Sequence, residues 1–254
     1  MALSRNFRTT YYKTLGVPVV QHIVDVDASF AALLSDRAVN VSQLLKLALE
    51  LGIAPQYRAK IWLVLSGVLP PYPGIWSFAL KERRAMFEDI VGAAQVLQVK
   101  DVTEGDEDRG VYYDFMEFLE EKDGEEKACS SKELTRLVHL HRTYWREIAA
   151  CDAPVLLGMD DPNFLLGVAR VVCEVLTREE ERFWCLTRML ELFHDGLELV
   201  DPVVTLDTLH NPSLSEFEGV FLRTVDVKRR RLTADGMSLH MLKSTHEEDY
   251  GRRR

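Results

Sequence analysis

The sequence is poor in the features on which secretion, membrane residence or catalysis would rest. It holds four cysteines, Cys129, Cys151, Cys173 and Cys185, in 254 residues, and none stands in CxxC or CxxH spacing. A disulfide framework is therefore not expected, and free thiols in a reducing intracellular compartment are the better reading. No stretch approaches the ~20 apolar residues that a membrane span needs. The opening MALSRNFRTTYYKTLG has no apolar run of signal-peptide length, so direct membrane insertion is not expected. Excess positive charge is lacking as well. A formal net charge of -9 argues against a general nucleic-acid binder, because lysine and arginine drive phosphate affinity. The basic runs KRRR (228–231) and RRR (252–254) are expected to be solvated or disordered surface.

Sites for independent chemistry are missing too. There is no serine–histidine–acid order, no glycine-rich phosphate loop and no HExxH, so no cofactor is expected. His139 and His141 in VHLHR invite a metal reading, but the surrounding period is helical. Residues two apart on a helix point about 200° from each other and cannot hold one ion together. No metal is expected.

What the chain does have is helical periodicity. DASFAALL (27–34) opens with Asp27 as a cap candidate, and SQLLKLALELG (42–52) has Ser42 before it and Gly52 behind. Pro55 opens a helix reaching toward Gly67, closed by Pro70 and Pro71, with Tyr57, Ile61, Val64, Leu65 and Val68 on one face. From about Trp76 to Leu97, the residues Ala79, Met86, Ile90, Ala94 and Leu97 share a face. Capping boxes are expected at Ser130–Glu133, Thr177–Glu180 and Ser213–Glu216, and Asp161–Pro162 opens a further helix. Cys151, Cys173 and Cys185 fall on or near apolar stripes and read as small core residues. The β-branched stretches 19–26 and 200–206 lack hairpin chemistry, so the fold class predicted is all-α.

Arg58 and Trp62 lie four residues apart on the proline-opened helix and share a face. The guanidinium can lie over the indole or pair with an acid from another element while the indole fills the core, which is a structural role.

The surroundings of this pair carry a resemblance. GIAPQYRAKIWLVLSGVLP (52–70) resembles the opening signature of the TBC domain, the helical fold of Rab GTPase-activating proteins. EEERFWCLTRMLELF (179–193) resembles a later helix of the same family. On these stretches Arg58, Trp62, Gly67, Phe183 and Trp184 correspond to structural family positions. RNFRTTYYKTLG (5–16), YRAKIWLVLSGVLPP (57–71) and FLLGVARVVCEVL are similar to the branch that serves as the small third subunit of the tuberous sclerosis complex. The resemblance covers about residues 5–200 with gaps.

It implies a two-lobed helical fold. Residues 1–41 would be an N-terminal extension with the first helices. Residues 42–200 would be a TBC-like domain with an acidic insertion about 103–131, and 201–254 a divergent or truncated C-terminal part with a disordered tail, 244–254. Phe221, Leu222 and Val225 are then candidates for apolar residues left uncovered.

Active family members supply an arginine within isoleucine–x–x–aspartate–x–x–arginine and a glutamine within tyrosine–x–glutamine. The arginine alone is worth roughly a thousand- to a hundred-thousand-fold in rate. After Trp62 the only glutamines are Gln95 and Gln98, and neither follows a tyrosine by two. The nearest imitation of the arginine motif is TEGDEDR (103–109), in which Arg109 is the weak finger candidate. Thr103 stands where an apolar anchor belongs, and Glu107 and Asp108 compete for the charge. No catalytic residue is therefore expected.

The resemblance implies a cytoplasmic scaffold that binds the coiled coil of hamartin and, through it, tuberin. Such a subunit supports inactivation of Rheb and restraint of mTOR growth signalling, with recruitment to lysosomal or vesicle membranes through partners. The alternative is an activator of a Rab-family GTPase.

Overall fold

Several helices begin where a side chain satisfies free amides of the first turn. In the computed structural model, which describes residues 26–101, 130–148, 161–200 and 209–231, these starts are explicit. Helix α1 spans Val26–Ser35, with Asp27 inside its first turn rather than ahead of it. Helix α2 spans Val41–Leu51. Its cap is Asn40, not Ser42: the Asn40 Oδ1 accepts from the Gln43 amide at 3.1 Å. An asparagine one residue before a β-branched valine outcompetes the later serine because its carbonyl reaches the third amide from an extended backbone.

Helix α3 spans Pro55–Leu65 with the proline in its first turn, and a 3₁₀ turn, Pro73–Ile75, leads into the 26-residue α4, Trp76–Asp101. Helix α5 spans Ser131–Thr143, and a π turn, Tyr144–Ile148, extends it. Helix α6 spans Pro162–Val175 with Asp161 accepting from the amides of Asn163 and Phe164. Helix α7 spans Glu179–Val200. It starts after Arg178, so Thr177 stands too early for the capping box expected from its sequence. A last helix, α8, covers 214–231. The boxes at Ser130–Glu133 and Ser213–Glu216 are both formed. The fold is all-α, with no strand among the described residues.

The hub is α3. Its residues Ile61 to Leu65 are all buried, not only those on the face the sequence period marks. This second half of the helix is buried all round, whereas Gln56 and Lys60 of its first half face solvent. α7 lies beside α3 and also packs on α4, α5 and α6, which groups four of the helices around one long element. Gly67 ends the α3 region at φ 79°, a left-handed backbone that a side chain resists. The turn then folds back, with the Leu69 amide donating to the Leu63 carbonyl at 2.8 Å.

Several expectations are corrected here. Phe221, Leu222 and Val225 are not uncovered but buried, with Phe217 and Phe221 stacked on Trp62 at 5.6 and 5.8 Å between ring centres. In α4 Ile90 and Ala94 are buried as expected, but Phe87 joins them in place of Met86, which faces out, because the aromatic ring meets Phe183. Along the extension of α5, Ile148 is exposed and Trp145 only half-buried. The run 228–231 is part of α8 and engaged with other helices: Lys228 pairs with Asp195, and Arg229 donates to Ser42. Cys173 and Cys185 are buried and form no disulfide. Cys129, Cys151, the acidic stretch 102–129 and both sequence termini lie outside the described residues.

Candidate docking surface

One side of α4 is a clamp and the other is open. On the closed side Trp184 of α7 donates from Nε1 to the Arg83 carbonyl at 2.8 Å, and the Arg83 guanidinium lies 4.7 Å above the centre of the Trp184 ring. Phe183 meets Phe87 at 5.3 Å and Trp184 at 5.1 Å, and Tyr144 approaches both edge-on. Burial lowers the Arg83 pKa, with help from the nearby Arg188, while Tyr144 and Glu191 oppose the shift. Arg188 pairs with Glu191 within α7. The Arg188 guanidinium also passes over Gly67, where a Cβ would meet its Nη2 at 3.7 Å.

On the open side large apolar residues face solvent. Phe78 is 64% exposed, Met86 46% and Val96 60%, and Tyr72 (55%) and Ile75 (48%) extend the surface through the preceding turn. Phe78 and Val96 are 18 residues apart, five full turns, so they point the same way about 27 Å from each other. Between them on the same face lie exposed Ala85 and Gly92, with Glu82 and Asp89 interspersed. The result is a shallow strip with apolar ends, a small-residue hollow in its middle and acids along it. Trp76 fixes the near end by donating to the Pro70 carbonyl at 2.7 Å.

The arginine–tryptophan pair holds a different seam, between α3 and α8. The Arg58 Nε donates to Glu218 Oε1 at 2.9 Å, and Trp62 Nε1 donates to the same oxygen at 3.0 Å. Arg58 also reaches the Ile53 carbonyl at 3.2 Å. One carboxylate of α8 therefore fastens two side chains of α3. Gly67 stands at the turn after α3, and Phe183 and Trp184 stand behind α4, so the motif residues hold two different seams.

His141 is fully buried, with Nδ1 3.0 Å from the Thr187 hydroxyl, and burial pushes its pKa down to about 3. No cluster of three metal-ligating side chains occurs among the described residues. Burial pushes the Cys185 thiol up to about 12, against a hydrogen bond from Ser66, so it is not a nucleophile. Arg109 lies outside the described residues.

No family model matches the chain. Curated relatives do. The chain is 30% identical over 100 residues to TBC1 domain family member 7 of Bos taurus, which is 39% of this chain and 33% of the relative. The Homo sapiens protein of that name matches at the same identity and coverage, and the Danio rerio one at 31% over 94 residues. Over these residues the chain is similar to TBC1 domain family member 7. The match spans about a third of the length of these relatives. This similarity fits the all-α architecture.

The strip on α4 was missed by sequence reasoning, which assigned this helix a single inward stripe. The spacing of Phe78 and Val96 through Ala85 and Gly92 was the available signal. Glu218 was missed as the acid for Arg58, although it is the acid set among Phe217, Val220 and Phe221.

Proposed function

We propose that this protein is a non-catalytic TBC-domain scaffold subunit. Its partner is the coiled coil of hamartin, and through hamartin it joins tuberin and supports inactivation of Rheb. Two considerations favour this reading: the relationship to TBC1 domain family member 7, and the exposed strip from Tyr72 to Val96 on a firmly backed helix. The strip carries the argument. A partner helix lying along α4 can seat large side chains over Ala85 and Gly92, cover Phe78 and Val96, and set basic residues against Glu82 and Asp89. A GTPase-activating site would instead present an arginine on rigid backbone. The subunit would act in the cytoplasm and reach lysosomal or vesicle membranes through its partners.

Capture on an immobilised hamartin coiled coil in mild salt tests the proposal. Covering one Phe or Val side chain stabilises a complex by roughly 1.5–3 kcal/mol. Phe78→Asp and Val96→Asp should therefore each weaken capture about tenfold or more, with melting temperature unchanged because both residues are exposed. No capture of the unaltered chain, or equal capture of both variants, refutes it.

A further inference from the structure

The clamp behind α4 holds more positive charge than the fold uses. Arg83 of α4 and Arg188 of α7 stand there, and the groups that act on Arg83 through space are Arg188, Tyr144 and Glu191. Glu191 pairs with Arg188. The Arg83 guanidinium makes no hydrogen bond or ion pair among the described residues; its contact is the Trp184 ring. Two guanidiniums against one carboxylate leave the site a single surplus positive charge.

Arg83 is already held in place. Trp184 takes one face of the guanidinium, 4.7 Å from the ring centre, and its Nε1 donates to the Arg83 carbonyl at 2.8 Å. Stacking occupies the face and leaves the N–H donors, which lie in the guanidinium plane, at the edge. A half-buried side chain fixed in this way has lost beforehand much of the freedom that pairing would remove. Arg188 lies one turn beyond Trp184 on the same side of α7. Its Nη2 would stand 3.7 Å from a Cβ on Gly67, which is exposed and has no side chain to cover it. Its Nε is buried and finds no acceptor among the described residues. Tyr144 opens the π turn and meets the Trp184 ring edge-on at 5.8 Å. π turns are frequent at functional sites. The Tyr144 hydroxyl makes no hydrogen bond among the described residues and so offers a neutral donor. Burial and Arg188 both push the Arg83 pKa down, and an incoming negative group would oppose both.

We infer that Arg83, Arg188 and Tyr144 form a receptor for a single carboxylate, held two-pronged by the edge of the Arg83 guanidinium. Charge selects the ligand. One surplus positive charge balances one carboxylate, whereas a phosphoryl group brings about −1.5 to −2 and would leave a half-buried site negative. An acidic side chain of another protein and a small carboxylic acid share this chemistry. The receptor lies on the opposite side of α4 from the exposed strip and needs no hamartin.

The test is an NMR titration of the full chain at constant ionic strength, read at the Trp184 indole and Arg83 side-chain N–H signals. The probes are acetyl-Ala-Glu-Ala-amide, its glutamine and phosphoserine counterparts, and acetate. Saturable shifts from the glutamate peptide, with affinity about tenfold above that of the glutamine peptide, support the inference. Arg83→Gln should weaken that binding about tenfold, and Tyr144→Phe, which keeps the ring, about threefold. Thermal melts check that both variants fold, and Tyr144→Phe carries the test alone should Arg83→Gln not fold. Glu191→Gln adds a second surplus charge and should swing the preference toward the phosphoserine peptide. Glutamate peptide binding above acetate makes a protein side chain the source of the carboxylate, and the reverse order makes it a small acid. The inference is overturned by an absence of saturable shifts, by equal response to the glutamate and glutamine peptides, or by tighter binding of the phosphoserine peptide to the unaltered chain. Binding left unchanged in the folded variants overturns it too.

Discussion

Replacing Glu218 with alanine isolates the link between α3 and α8. Its Oε1 accepts from Arg58 and from Trp62, and the side chains of Arg58 and Glu218 are 20% and 10% exposed. Truncation leaves the Trp62 Nε1–H in a fully buried ring without an acceptor, which costs about 1–3 kcal/mol. It also strips the counter-charge from a largely enclosed guanidinium. Breaking a fully buried pair costs about 3–5 kcal/mol, and the residual exposure with the Ile53 carbonyl bond reduces that figure. The sum points to a loss of about 3–4 kcal/mol. Glu218→Gln retains a carbonyl oxygen in place and should lose only about 1 kcal/mol, the charge-assisted part. Arg58→Met with Glu218→Gln should recover most of the loss seen in Arg58→Met alone, since no unpaired charge remains. Urea unfolding at neutral pH, with equal slopes for all variants, measures each value. A Glu218→Ala cost below about 1 kcal/mol would refute the claim that this carboxylate holds α3 to α8.

Other outcomes follow from single contacts. Gly167→Ala places a Cβ 2.0 Å from the Leu209 carbonyl oxygen, so the backbone must part, and a loss of about 3 kcal/mol or non-folding is expected in thermal melts. Trp184→Phe removes the 2.8 Å bond to the Arg83 carbonyl and weakens the cation–π contact, which should lower stability by about 1–2 kcal/mol in urea titration. His141 stays neutral in the folded protein down to about pH 3, whereas an unfolded histidine protonates near 6.5. Its contribution is intact above pH 6.5 and declines as pH falls, by up to about 1.4 kcal/mol per pH unit. His141→Leu should flatten the stability curve between pH 6.5 and 4, and an unchanged slope there would contradict the burial argument.

Much of the architecture could be read from residues that act locally. Pro55, Asp161, Ser130 and Ser213 mark helix starts because each satisfies or tolerates the free amides of its own first turn. Errors arose where the decision is tertiary. Asn40 displaced Ser42 as a cap by one turn geometry, but Phe87 displaced Met86 as the buried residue because Phe183 offers a ring to meet. Likewise Phe221, Leu222 and Val225 read as uncovered because they lie beside a basic run in a part of the sequence that departs from the family pattern. Trp62, some 160 positions earlier, packs on Phe221. The acid that Arg58 requires was legible as a need, yet its identity depends on how α8 docks. The strip on α4 was hidden for a related reason: one helix carries both a buried and an open apolar face, and periodicity alone adds them together.

The carboxylate that fastens Arg58 and Trp62 sits 160 and 156 positions downstream of them. During synthesis at about 5–20 residues per second, the indole leaves the ribosome on the order of 10 s before its acceptor exists. For that interval the apolar second half of α3, Ile61 to Leu65, has no aromatic lid from Phe217 and Phe221. Nascent chains should therefore pass through a period of chaperone dependence that ends only when α8 emerges. A stop codon anywhere before residue 214 would make that exposure permanent and hand the product to quality control.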